Sequence, residues 1–472
     1  MKKTILLAAA LSTALLANTE IPNTIIPTKS SNIKITIYNS GIAFVNEERE
    51  VNVPKGVQNL VYQGVPKNVI SESVIPTFTG METNLFSQNY IYNLVSLQSM
   101  LRYSIDKKVE YVKNNAATME NPEVFTGTLI TNNPPMIKDD KTGKIITVKD
   151  ANQILFSAIP ENMITKPSLV WRAEAEKYGD LTIDLKYLTT GISWKSDYVL
   201  NLSGKTLDIN GWITIDNTSG VEYENAQITC LAGEVNRVNN REASFSSDTI
   251  VYKTKGISRH KEVKEEAFAG YHIYKIPYRE TIQNQQKKQI IFIEKDEVPY
   301  TQYGYAVNNY FKNYGEQKIA FQNIVEFKND KKSNMGIPLP NGTVRTYQKD
   351  KSGETHFVGE NTIKNTPVKE TIKLNIGTMF DVVGSKKVTK FKSTKFERDV
   401  ETTYEVRNRG KDEVIVKISE NIPAYGRKIT VSSSCSDNCK IEKKSAFRRE
   451  FTIKLAPEEV YSFTTEFNVE NN

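Results

Sequence analysis

Leu181-Thr182-Ile183-Asp184-Leu185-Lys186-Tyr187 is the stretch on which the fold class turns. Leu181, Ile183, Leu185 and Tyr187 alternate with Thr182, Asp184 and Lys186, a period of two that puts four apolar side chains on one face of an extended strand. Downstream, Leu207, Ile209, Gly211, Ile213 and Ile215 share one face and leave Trp212 on the other. Upstream, Ile33, Ile35 and Ile37 alternate with Lys34, Thr36 and Tyr38, then Asn39-Ser40-Gly41 turns the chain into Ile42-Ala43-Phe44-Val45. Toward the C-terminus Val414, Val416 and Ile418 alternate, as do Phe451, Ile453 and Leu455, with Tyr461, Phe463 and Phe467 after them. Turns fall where Gly, Pro and Asn cluster.

The expected fold is mainly β, with tandem antiparallel β-domains, a C-terminal immunoglobulin-like β-sandwich and one short helix. The helix is expected within residues 91–105, where Leu94, Leu97, Leu101 and Ile105 recur at spacings of three and four and Ser96 can cap. A chain of 472 residues exceeds one compact core. Residues 18–90 are expected to form an N-terminal β-domain, 91–178 the helix and a small β-region, 179–366 a central β-domain, and 367–472 the C-terminal sandwich. Within the central region, residues 237–317 are charged and rich in Gln, Asn and Tyr, and are expected to be a long, mobile insertion. Ile213 to Ser219 and Tyr404 to Gly410 both run a strand into an Asn-led turn. That echo fits two related sandwiches or shared hairpin chemistry.

Residues 1–17 read as a secretory signal peptide: Lys2 and Lys3, an apolar run over 4–17, then polar Asn18-Thr19-Glu20. The run is short of the roughly 20 residues a spanning helix needs. The expected location is the periplasm or cell surface of a bacterium, with no integral membrane segment after leader cleavage. The formal charge of +7 is mild and interleaved with acids, so nucleic acid is not an expected partner. Cys435 and Cys439 flank the turn residues Ser436-Asp437-Asn438. Export favours a disulfide between them over free thiols or a metal pair; Cys230 reads as a buried small hydrophobe.

The sequence carries no nucleophile elbow, zinc-helix motif, phosphate loop or dinucleotide fingerprint. Its three histidines, His260, His272 and His356, are far apart. No catalytic residue, cofactor site or metal site is expected from these patterns. Asp184, Asp197 and Asp216 lie on or beside the central strands and read as solvent-facing or capping groups. Tyr271, His272 and Tyr274, in a segment mixing aromatics with one His and one Lys, are a candidate binding surface for sugar or peptide. The competing reading of that segment is a strand with Phe268 and Ile276 buried and the tyrosine tips wet.

Tyr187-Leu188-Thr189-Thr190-Gly191-Ile192-Ser193-Trp194-Lys195-Ser196-Asp197-Tyr198 resembles a string of a bacterial domain-of-unknown-function family that includes proteins named mucoidy inhibitor A. The strings 211–220, 231–237, 336–340, 344–347 and 380–384 resemble later ones of that family, so the resemblance covers about 180–472. Thr190 stands where the family has Gly, and no long coiled coil follows the N-terminal module. The resemblance implies an all-β, envelope-associated protein and supplies no catalytic residue. Trp194, Asp197, Tyr198, Trp212, Asn217 and Gly220 are the motif positions it marks, read as structural.

The expected role is a non-enzymatic binding or structural module that contacts a polysaccharide, peptidoglycan or a protein partner. The alternative is an envelope glycan or peptide hydrolase using acidic residues in an interdomain cleft. Mature protein recovered from the envelope fraction should begin near Asn18, which N-terminal sequencing checks; an intact Met1 there would remove the export reading.

Overall fold

The computed structural model describes residues 23–113, 123–147, 153–158, 164–233, 263–268, 270–309, 315–422, 428–435 and 437–470. The expected signal peptide lies outside them. The protein is mainly β, with a single α-helix among the described residues. That helix, Leu97–Tyr103, falls where the leucine spacing puts it. Ser96 accepts the Ser99 N–H at 3.1 Å while the Ser99 hydroxyl accepts the Ser96 N–H at 2.8 Å, satisfying donors the first turn leaves open.

One strand pattern recurs along the chain. Each unit has a lead strand, then strands a, b, c and d; a pairs with d, b pairs with c, and the lead pairs with a, all antiparallel. In the first unit these are Asn32–Tyr38, Ile42–Val53, Gly56–Gln63, Ser168–Ala175 and Gly179–Thr190. In the second they are Ile192–Ser203, Thr206–Asn217, Tyr223–Ala232, Tyr271–Ile282 and the first half of Gln286–Asn308. In the third, the second half of Gln286–Asn308 leads Glu316–Lys328, Gly342–Lys349, Thr355–Ile363 and the first half of Thr371–Ser393. In the fourth, the second half of Thr371–Ser393 leads Glu397–Asn408, Val414–Asn421, Arg448–Leu455 and Val460–Glu470.

The units interlock because, from the second unit on, each b strand pairs in parallel with the lead strand of the unit before it. A sheet therefore consists of c and b from one unit and lead, a and d from its predecessor. Within a unit, the b–c pair packs face to face on the a–d pair. Tyr274 of c meets Trp194 and Phe292 at ring separations of 6.0 and 5.6 Å, and in the last unit Phe451 of c meets Phe463 of d at 5.1 Å. One continuous hydrophobic core runs from Ile26 to Ile376, and a second, around Phe321, Tyr404, Phe451 and Phe463, fills the last unit. Segments expected as separate N-terminal and central domains thus share one core. The boundary expected at 366/367 falls just before a strand that serves two units. A smaller sheet has its own buried cluster. Its five strands lie between residues 108 and 155 and close on Tyr111, Leu129, Ile137 and the helix residue Leu101.

The insertion expected over 237–317 divides. Residues 234–262, His260 among them, lie outside the described ones. Residues 271–308 are framework strands, with Ile276, Ile282, Ile290, Ile293 and Val298 buried. The register of Gln286–Asn308 shifts twice against Thr206–Asn217. These shifts break the period of two that marks a strand in sequence, and its outward positions carry Lys287 and Gln289.

The echo between Asn217 and Asn408 is a shared device with a third copy. Asn217, Asn329 and Asn408 each end an a strand or directly follow it, and each is fully buried. The Asn217 amide donates to Val221 O (2.9 Å) and Gln283 O (3.0 Å), that of Asn329 to Ile337 O (2.8 Å) and Pro367 O (3.0 Å), and that of Asn408 to Asp412 O (2.9 Å) and Ala456 O (2.9 Å). Their carbonyls accept from Ser219 N, Gly336 N and Gly410 N at 3.1, 3.0 and 2.9 Å. The c–d turn below each holds one residue in the left-handed region: Gln285 (φ 59°), Lys369 (φ 72°) and Glu458 (φ 58°). The first unit ends its a strand in Val53-Pro54 and has no such asparagine.

Asn408→Asp keeps the size but removes both amide donors and sets a carboxylate against carbonyl oxygens. It should cost about 3 kcal/mol of stability, read as a lowered urea midpoint. A change within about 0.5 kcal/mol would show that the corner is not a stabilising element.

Candidate functional site

Five strands of the central sheet, from the c strand Thr355–Ile363 to the first half of Gln286–Asn308, turn one face inward and the other to solvent. Inward, Trp194, Tyr198, Leu200, Ile213, Ile215 and Val344 are buried. Outward, a row of polar side chains crosses all five strands. Arg345 Nε sits 2.9 Å from Glu360 Oε2, and its Nη1 sits 3.4 Å from Asp197 Oδ1. Asp197 Oδ2 accepts from the Thr214 hydroxyl at 2.9 Å, and the Gln289 amide donates to that hydroxyl oxygen at 3.2 Å. Lys195 approaches Asp197 at 3.7 Å. Aromatic rings flank the row. Trp212 lies directly across from Asp197 in the ladder and is half-buried, and at the far side Tyr347 meets Phe357 edge-on with centroids 5.6 Å apart.

Asp197 is only 7% exposed although it points outward. Its neighbours cover it, and two cations and a hydroxyl satisfy its oxygens, so it is a fixed acceptor. Asp197 holds Arg345 and Lys195 in place from below, and a hydroxyl-bearing ligand laid across the face would meet Glu360, Arg345, Lys195 and Gln289, with aromatic rings on either side for its apolar edges.

The other marked positions hold the fold. Trp194 donates to Leu231 O at 3.2 Å, and Tyr198 donates to Pro340 O at 2.7 Å from full burial. Gly220 has φ +96°, which favours glycine. Tyr274, expected on a binding surface, is instead 1% exposed and spends its hydroxyl on Pro338 O at 3.1 Å. Its strand alternates, so Tyr274 and Ile276 face the core together. Tyr271 is half-buried, and His272 pairs with Glu265 at 2.7 Å. These three residues therefore do not form one surface. Asp184 lies outward beside Lys186 at 3.5 Å and Asp216 beside Lys287 at 3.5 Å. Cys435 and Cys439 stand at disulfide distance, with Cα atoms 5.3 Å apart, and Cys230 is buried.

A second polar cluster lies in the core of the last unit. Glu420 is fully buried, and its Oε1 accepts from the hydroxyls of Tyr404 (2.7 Å) and Thr465 (3.0 Å), while Oε2 has no partner. The Asn308 amide donates to the Tyr404 oxygen at 2.6 Å, and the Lys386 ammonium donates to the Asn308 carbonyl. Burial pushes the Glu420 carboxyl up from its ordinary range, against the opposing pull of the two hydroxyls and Lys386. Burial likewise pushes Lys386 down.

Sequence reasoning passed over Arg345, Glu360 and Glu420. Arg345 and Glu360 come together only through strand pairing and carry no local signal. Glu420 did carry one: it continues the inward phase of Val414, Val416 and Ile418 by one step.

Among the described residues no group of three or more His, Cys, Asp or Glu is placed to hold a metal, and no helix is long and apolar enough to cross a membrane. No curated protein matches the chain. The model of one family, described as a domain of unknown function (DUF4139), matches residues 183–472. The match begins in the d strand of the first unit and takes in all three units built on the buried asparagines, together with the whole outward row. The chain belongs to the DUF4139 family.

Proposed function

We propose that this protein is an exported, non-enzymatic module of a bacterial cell envelope that binds an extended glycan on the outward face of its central sheet. The observation that supports this is the row Glu360–Arg345–Asp197–Thr214–Gln289, flanked by Trp212 on one side and by Tyr347 and Phe357 on the other. Fixed charges with aromatic rings beside them suit sugar hydroxyls and the apolar faces of pyranose rings. The leader-like residues 1–17 and the paired cysteines support an oxidising compartment. The strings at 187–198 and 211–220 further suggest the mucoidy inhibitor A-like branch of the family, which would make exopolysaccharide or peptidoglycan the first polymers to test.

Trp171 and Trp194 are buried, so Trp212 is the indole placed to report a ligand on this face. Titrating full-length mature protein with purified peptidoglycan fragments and with exopolysaccharide should change its fluorescence. Arg345→Ala should weaken binding by about tenfold in this titration, and Trp212→Ala, which lacks the reporter, should weaken it by a similar factor when binding is read by calorimetry. Equal affinity in wild type and both variants would exclude this face; binding of an envelope protein but no glycan would change the ligand class.

The hydrolase reading draws its support from Glu420, a carboxyl that burial pushes above its ordinary range, the direction a general acid needs. Its full burial favours a part in the fold over contact with a substrate. A folded-state carboxyl raised above its unfolded value of about 4.3 contributes stability that is complete below that value. The contribution is lost as pH climbs through the raised one. The wild-type urea midpoint should therefore fall with rising pH across that window relative to Glu420→Gln, whose amide has no proton to lose. Parallel profiles would show that Glu420 is not a buried neutral acid.

A further inference from the structure

The repeat shows what covers the edge of a c strand. In the first unit Ser168–Ala175 is flanked by the antiparallel strand Thr83–Ile91. In the second, Tyr271–Ile282 is flanked by Lys264–Phe268, and in the fourth Arg448–Leu455 by Cys439–Ser445, both antiparallel. Each covering strand is drawn from the unit's own connection between b and c. In the third unit that connection is a tight turn, closed by Asp350 N to Glu354 O at 2.9 Å and Gly353 N to Asp350 O at 3.0 Å. It has no chain to spare, and among the described residues Thr355–Ile363 ends its sheet with no strand beyond it.

This edge also lacks most of the usual protection. Bare edges are commonly blunted by lysine, proline or repeated bulges. The first half of Gln286–Asn308 fits that description, with Lys287, Lys288 and Lys295 and two register shifts. Thr-His-Phe-Val-Gly-Glu-Asn-Thr-Ile contains no Lys, Arg or Pro and has a single shift near Val358. Its one acidic residue, Glu360, is already paired with Arg345 of the neighbouring strand. Phe357 is 57% exposed. From beneath, strand Thr371–Ser393 crosses so closely at Gly359 that a Cβ there would lie 2.7 Å from Ile376 O. That contact occupies the inner face and leaves the edge open.

We propose that Thr355–Ile363 pairs antiparallel with the same strand of a second copy of this chain, across a two-fold axis. The equivalent edges all take an antiparallel strand of this protein's own chain, and an antiparallel strand pairing with itself closes under two-fold symmetry. The neutralised Glu360 lets two copies meet without net like charge. The two central sheets become one, and their outward faces join, with one Tyr347–Phe357 pair on either side of the axis. One edge strand buries little area, so the dimer should dissociate at concentrations of roughly 1–100 μM.

The pairing needs no ligand, so its test is independent of glycan binding. Sedimentation of full-length mature protein should show a monomer–dimer equilibrium in that range. Phe357→Lys and Thr355→Lys should shift it to monomer with an unchanged melting profile. Hydrogen exchange at residues 355–363 should slow as concentration rises. A monomer at every concentration, or a dimer untouched by both lysine variants, would overturn the proposal. So would protection of these amides only when a different envelope protein is added, which would assign the edge to that protein.

Discussion

The side-chain amide of a buried asparagine, placed where a strand ends and the chain crosses to the next layer, is the interaction on which this architecture depends. Two loops meet at that crossing, and their carbonyls are removed from water, at about 1–3 kcal/mol for each group left unpaired. Asparagine offers two donors and an acceptor on a short stem, which matches two carbonyls and one N–H. Aspartate lacks the donors, and glutamine would reach past them. Asn217, Asn329 and Asn408 each meet this need, above a turn that places one residue at positive φ. The first unit closes its corner without one, and the DUF4139 match spans the three that use it.

Given fixed corners, the chain can pass one strand through two sheets. Gln286–Asn308 gives its first half to Thr206–Asn217 and its second half to Glu316–Lys328 and Val414–Asn421. Thr371–Ser393 repeats this one unit later. The second, third and fourth units cannot then fold fully alone, because the b strand of each needs the lead of the unit before. That explains why compositional boundaries do not coincide with boundaries of the core.

Much of the architecture was legible where inward and outward positions differ in polarity. Leu181 to Tyr187 and Leu207 to Ile215 lie in the sheets as their alternation requires, and the Ser96 cap marks the helix. The sequence was misleading where a register shift broke the period, as at Ile290 to Ile293, or where a phase continued into an unexpected residue type. Tyr274 and Glu420 are of the second kind: each is in phase with buried neighbours although its side chain is polar. Glu47 and Arg49 belong with them, in phase with Val45 and Val51, inside the first sandwich and 3.3 Å apart. The outward row was not legible, because its members lie in strands that are distant in sequence and become neighbours only through the parallel pairing of Ile192–Ser203 with Gly342–Lys349.

That pairing also accounts for why the proposed binding face belongs to the central sheet. In the first sheet the outward charges are local pairs, such as Asp184 with Lys186 two residues away, and exposed pairs of this kind contribute at most about 1 kcal/mol. In the central sheet Asp197 comes from the lead strand of one unit, while Arg345 and Glu360 come from the b and c strands of the next. Their geometry is set by the interlock itself, so the row is rigid as far as the sheet is rigid, and little side-chain freedom remains to be lost on binding. A repeated fold has the same inward pattern in every unit. It acquires a distinct site where two units meet, because only there can side chains that neither unit's local pattern constrains be brought into one row.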